Sequence, residues 1–291
     1  MTAPVWIDTD MGADDLFAIL LLARHRPIAG LSLTFGCARH PQVLANAAGA
    51  ARRFGWDFPL TSGAARPILG PTETAERILG PTGYLTRGAT LPKAAITPPP
   101  ALPALARHIG TGGEILALGP LTTLATVALA HPDLTWPQVT WMGGSLGRGN
   151  HTEAAEYNAL ADPEALAILL DRGVPLRMID LEACRKVTIT EADLGQLPPG
   201  LLHDLLGGYL DIALTRGRNR MALYDPIAAA ALARPDLFTF APAHLSVTLG
   251  HTAERARTDA RPGLPPNAEV VADLDADALR DLCLSALQGW D

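Results

Sequence analysis

Val5-Trp6-Ile7-Asp8-Thr9-Asp10-Met11-Gly12-Ala13-Asp14-Asp15 carries an apolar run, four carboxylates within eight residues and one glycine. The apolar triplet at 5–7 reads as a buried strand, and the apolar stretch at 16–24 reads as a packed helix. In an extended chain Asp8 and Asp10 point to the same side. Gly12 permits a tight turn, after which Asp14 and Asp15 open the helix, where the positive end of the helix dipole favours carboxylates. An Asp-Asp pair alone is an ordinary helix cap. Four acids at the end of a first strand repel one another unless a counter-charge is present. A hard divalent cation with oxygen ligands, Ca²⁺ or Mg²⁺, supplies one.

Outward from this stretch, short apolar runs alternate with helical patterns. Strands are expected at 31–35, 114–118, 139–142 and 176–181, and helices at 41–54, 121–130 and 163–171. This alternation predicts an α/β fold with an open, mainly parallel central sheet and helices on both faces. Residues 1–291 read as a single domain, without internal repeats. Trp6 and Trp141 read as core. The segments 63–100 and 252–266, rich in Pro, Gly and Thr, read as loops. Ligands of such sheets bind beyond the carboxyl ends of the strands, which directs attention to the residues after each apolar run.

The net charge of −7 and only two lysines, Lys93 and Lys186, exclude the basic stripe of a nucleic-acid binder. Cys37, Cys184 and Cys283 are far apart and odd in number, which suits a reduced cytoplasm rather than a disulfide framework or zinc knuckle. No apolar run reaches the ~18 residues of a membrane span, and no secretion signal is evident. A soluble cytoplasmic protein with a small-molecule partner is expected.

Five further segments stand in order along the chain: Gly119-Pro120-Leu121-Thr122-Thr123-Leu124-Ala125; Met142-Gly143-Gly144 with Gly149-Asn150; Ala155-Glu156-Tyr157-Asn158; Asp162-Pro163-Glu164-Ala165; and Tyr224-Asp225-Pro226-Ile227-Ala228. Singly they are bland. Asn150 and Asn158 would be turn residues, and Asp162-Pro163 and Asp225-Pro226 would be helix starts. Jointly, with the Asp-x-Asp-x-Gly-x-Asp-Asp opening, they resemble the nucleoside hydrolase family across nearly the whole chain. Residues 270–276 are similar to that family's last strand. The opening Asp8-Thr9-Asp10 also resembles the haloacid-dehalogenase-like phosphatases, but Gly12 stands where those carry Thr or Val, and no lysine is well placed for a phosphate.

The resemblance implies a Rossmann-like nucleoside hydrolase fold and calcium-dependent hydrolysis of the N-glycosidic bond of a ribonucleoside, releasing base and ribose, as in nucleoside salvage. It implies calcium held by Asp10, Asp15, the Thr122 carbonyl and Asp225, with Asp10 as general base toward a water. It gives Asp14, Asn150, Glu156 and Asn158 to the sugar hydroxyls and places Met142 under the ribose. It also implies a homodimer or homotetramer.

Departures mark the base pocket. Cys37 stands where many members have asparagine, Tyr224 where many have a histidine that protonates the leaving base, and Leu79 where a second histidine is usual. Tyr224 would stack on the base or donate its hydroxyl to it. Cys37 is equally readable as a buried structural cysteine. A non-catalytic nucleoside- or ribose-binding protein on the same fold is the alternative that the altered pocket leaves open.

Overall fold

The computed structural model describes residues 3–290. Its strands are β1 (Val5–Thr9), β2 (Ile28–Leu33), β3 (Leu60–Ser62), β4 (Ile115–Ala117), β5 (Val139–Met142), β6 (Leu176–Ile179), β7 (Thr188–Ile189), β8 (Met221–Ala222), β9 (Phe238–Val247), β10 (Thr258–Arg261) and β11 (Ala268–Leu274). Nine form one sheet in the order β10-β9-β11-β6-β5-β4-β1-β2-β3. All neighbours from β11 to β3 are parallel, and only β9 runs in the opposite direction, between β11 and the edge strand β10. The expected mainly parallel α/β sheet is therefore the observed one. One local expectation was incomplete, because β10 lies inside the segment 252–266 read as loop. Its short run Thr258–Arg261 lacks an apolar signature, and its pairing with β9 is what makes it a strand.

Alternation along the strands builds two cores. Val5 and Ile7 of β1, Leu116 of β4 and Met142 of β5 face one apolar cluster; Trp6, Ile115, Ala117, Val139 and Trp141 face the other. The first face is covered by the helices Ala13–His25, Leu201–Leu214, Asp225–Ala233 and Ala276–Ala286, the second by Ala101–Gly110, Thr122–Ala130 and Pro163–Asp171. Helix Ala13–His25 packs along Asp225–Ala233. The latter reads DPIAAAALA, and its small side chains let the two helix backbones approach closely. Both helices begin with aspartates.

Trp141 is fully buried, and its indole N–H donates to the Gly119 carbonyl at 3.2 Å. Trp141→Ala should cost roughly 3–5 kcal/mol, the range for truncating a large core aromatic. Urea denaturation monitored by circular dichroism reads this directly. A loss below about 1 kcal/mol would mean that the second core can close around the vacancy.

The chain runs β1, β2, β3 to one side, then returns to place β4, β5 and β6 on the other side of β1. The direction of winding thus reverses between β1 and β4. A crevice opens at the carboxyl ends of such a strand pair, and Asp10 and Leu118 are among the first residues past those two ends.

Candidate active site

Immediately past β1 the backbone bends sharply, with Met11 in the left-handed region at φ 52°. Such a conformation is costly for a non-glycine residue and persists where neighbours enforce it. Here the Thr9 hydroxyl accepts the Met11 N–H at 3.0 Å, and the Met11 carbonyl accepts from Asn46 Nδ2 at 3.1 Å. The Thr9 hydroxyl in turn donates to Asp15, whose other oxygen accepts the Gly12 N–H at 2.9 Å. Asp15 is thereby fixed at the start of its helix.

Asp10 is buried. Its Oδ2 accepts the Cys37 N–H at 2.7 Å, while its Oδ1 is buried without a hydrogen-bond partner. Candidate ligand atoms of Asp10, Asp15 and Cys37 lie within 4.8 Å of one another, and so do those of Asp14, Asp15 and Asp225. Two helix N-termini therefore bring their acids to one point beside Asp10. Burial, then the charge of Asp15, pushes the carboxyls of Asp10 and Asp225 well above the usual range, and the same causes raise Asp14 to about 7. Carboxylates held this way gain strongly from a cation, and the oxygen donors suit a hard one. In chemistry and arrangement the acidic cluster could hold a metal ion.

A cavity of about 540 Å³ opens over this cluster, lined by Asp10, Asp14, Asp15 and Asp225. Met142, Asn150, Glu156, Asn158 and Tyr224 line it as well. Glu156 caps the helix Tyr157–Ala161, accepting N–H groups from Gly144, Asn158 and Ala159 at 2.8–2.9 Å. Burial nevertheless raises its carboxyl to about 7. Asn158 donates through Nδ2 to the carbonyls of Leu118 and Met142, at 2.8 and 3.0 Å. Asn150 Oδ1 accepts the Tyr157 N–H at 3.0 Å. The Tyr224 hydroxyl is pushed by burial up to about 12, so it remains a proton donor at neutral pH.

Two expectations fail on geometry. Thr122 does not line the cavity. It is the first residue of helix Thr122–Ala130, its carbonyl accepts from the Thr126 hydroxyl at 2.7 Å, and its own hydroxyl donates to Asp162 at 2.6 Å. The cavity-lining residue of that turn is Leu118, which lies between β4 and the glycine. Asp8 and Asp10 also part company. Asp8, within β1, accepts from the Ser32 hydroxyl of the neighbouring strand and does not line the cavity, so it cannot serve as a phosphatase nucleophile there. The departures Cys37 and Leu79 do line the cavity. Sequence reasoning missed Tyr209, whose hydroxyl lies 3.3 Å from Asp14 Oδ2 and 3.0 Å from the Ala222 carbonyl. Nothing in the pattern of its helix singles it out.

No helix among the described residues is long and apolar enough to cross a membrane. The profile of the family described as inosine-uridine preferring nucleoside hydrolase matches residues 5–281. The chain is 31% identical to the non-specific ribonucleoside hydrolase RihC of Salmonella schwarzengrund, over 94% of each chain. It is 29% identical to the protein of the same name from Klebsiella pneumoniae, over 96% of each. Among solved structures, a plant nucleoside hydrolase superposes with a TM-score of 0.91 at 24% identity, covering 99% of this chain and 100% of that one.

Proposed function

The chain belongs to the inosine-uridine preferring nucleoside hydrolase family, and from that premise we propose that it hydrolyses the N-glycosidic bond of a ribonucleoside with calcium as its metal. The observation that carries the reading is the buried, unpartnered Asp10 Oδ1 beside the acids of two converging helices.

In this reading Asp10, Asp15 and Asp225 would hold calcium together with the Leu118 carbonyl, which replaces the Thr122 carbonyl in the ligand set. When bound, the ion would orient a water and the ribose hydroxyls and make the water more acidic. Asp10 Oδ1 accepts the water's proton as general base. Asp14, Asn150, Glu156 and Asn158 hold the sugar hydroxyls, and Met142 packs under the ring. As the bond from C1′ to the base breaks, its electron pair stays on the base and the ribose gains oxocarbenium character. The surrounding carboxylates stabilise that positive charge. Tyr224 is the protonated donor facing the base. The reading also makes the protein a cytoplasmic enzyme of nucleoside salvage, acting as a homodimer or homotetramer.

Ribose release from a panel of purine and pyrimidine nucleosides, with calcium and then with chelator, tests the activity. Release that the chelator stops is expected, and release unaffected by it would overturn the role of the metal. The same pair of conditions should move stability. Calcium at about 100 times its Kd should add about 2.7 kcal/mol, raising the thermal midpoint by several degrees. An unchanged midpoint at saturating calcium would mean that the acidic cluster does not bind it. Nucleoside binding without any ribose release would favour the non-catalytic alternative.

A further inference from the structure

The cavity is acidic at its floor and basic at its mouth. Five of the chain's 23 basic residues line it: Arg148, Arg185, Arg216, Arg218 and Arg220. In a chain of net charge −7 this concentration is not a general property of the surface. Two of the five are already engaged. Arg148 pairs with Glu153 at 2.9 Å, and Arg185 bonds Glu182 and the carbonyls of Arg148 and Gly149. Arg220 reaches only Asn219 Oδ1, at 3.4 Å. The guanidinium groups of Arg216 and Arg218 make no hydrogen bond or ion pair among the described residues.

The free arginines belong to a particular wall. Helix Leu201–Leu214 ends just before them, β8 follows, and Tyr224 comes two residues after β8. Ala213, Arg216, Arg218, Met221 and Tyr224, close together in the chain, all line the cavity. Arg148, Arg216, Arg218 and Arg220 are exposed and Arg185 is half-buried, whereas Asp10, Asp15 and Asp225 are buried, so the basic groups stand at the mouth and the acids at the floor. The sugar belongs at the buried, carboxylate-lined floor, where its developing positive charge is stabilised. An anion in that floor would be repelled by Asp10, Asp14, Asp15 and Asp225, whereas one at the mouth, against Arg216 and Arg218, would meet planar, bidentate donors.

We infer that the substrate is a ribonucleoside whose base carries a negative charge, such as a carboxylate, held by Arg216 and Arg218 at the Tyr224 side of the cavity. This rests on the hydrolase reading above. A base of this kind presents opposite ends to a cavity of opposite ends. As the C1′–N bond breaks and its electron pair moves onto the base, the same guanidinium groups face the growing negative charge.

The test uses uridine, 5-carboxyuridine, whose carboxylate points away from the glycosidic nitrogen, and uridine 5′-monophosphate as substrates in calcium, with calorimetric binding of uracil and 5-carboxyuracil as a readout independent of turnover. Expected is a kcat/KM for 5-carboxyuridine about tenfold or more above that for uridine, the scale of one charge-assisted contact. The free carboxylated base should bind tighter by a similar factor. In the double variant Arg216→Gln, Arg218→Gln both ratios should fall to about one. Equal turnover and equal binding of the neutral and carboxylated forms would overturn the inference and leave the hydrolase reading intact. Preference for the 5′-monophosphate instead would overturn the assignment to the base side. Tighter, arginine-dependent binding of 5-carboxyuracil with no ribose released from any substrate would support the arginine site and overturn the hydrolase reading.

Discussion

Asp10→Asn should release ribose at a rate at least 10²–10⁴-fold below that of the unaltered enzyme, the range for loss of a general base alone. Asparagine is the informative substitution because it keeps the volume and leaves an oxygen to accept the Cys37 N–H, now 2.7 Å from Asp10 Oδ2. What disappears is the charge and the proton-accepting Oδ1, which is buried without a partner. The direction of the stability change makes the result diagnostic. Asp10 is disfavoured in its charged form by burial and by Asp15, so in chelator the variant should be at least as stable as the parent. In calcium the parent gains stability and the variant gains less, because one ligand charge is missing. A dead enzyme with an intact circular dichroism spectrum and weakened calcium stabilisation is the expected combination. Ribose release within tenfold of the parent would remove Asp10 from the role of general base.

Much of this site was legible from one-dimensional pattern. The acids at 8–15 sit at the junction of a strand and a helix, and a parallel sheet sends every such junction to the same edge. That rule also located Met142 and the segment after β4. It failed at Thr122 because the resemblance supplied a turn and not a register. Within that turn only the three-dimensional path decides which carbonyl faces the cavity and which joins the helix. Strand periodicity misled at Asp8 and Asp10, since Asp10 lies past the end of β1, where alternation no longer holds. Tyr209 and the arginine wall were illegible for a different reason. Tyr209 comes from mid-helix and Arg216–Arg220 from a surface loop, and such residues look like core and solvated charge until the fold brings them to the cavity. The short β10 is a further case, a strand created by its partner rather than by its own residues.

Gly36→Ala should be nearly as damaging as the loss of Asp10, although glycine has no group to offer chemistry. A methyl built on Gly36 would stand 1.8 Å from Asp10 Oδ2 and 2.6 Å from its Cγ. Neither side can yield cheaply. Asp10 is tied to the Cys37 N–H, and the Gly36 carbonyl accepts both the Ala75 N–H at 3.1 Å and the Tyr157 hydroxyl at 2.7 Å. The clash must therefore rotate the Asp10 carboxylate away from its neighbours or push the 36–38 turn into the cavity. Overpacking of this kind typically costs 1–3 kcal/mol, which a fold with two extensive cores should survive. Displacement of the reactive oxygen by about 1 Å is enough to lose about 10²-fold in rate, and calcium affinity should fall with it. Gly195→Ala is the matched control: its added methyl meets nothing closer than the Ala192 carbonyl at 3.4 Å, at a helical φ of −62° and far along the chain from the cluster. If Gly36→Ala kept both the calcium-induced rise in thermal midpoint and the ribose release of the Gly195→Ala control, the position of Asp10 would not depend on this close approach. The conclusion would then be that the metal itself, rather than the 36–38 turn, orients the carboxylate.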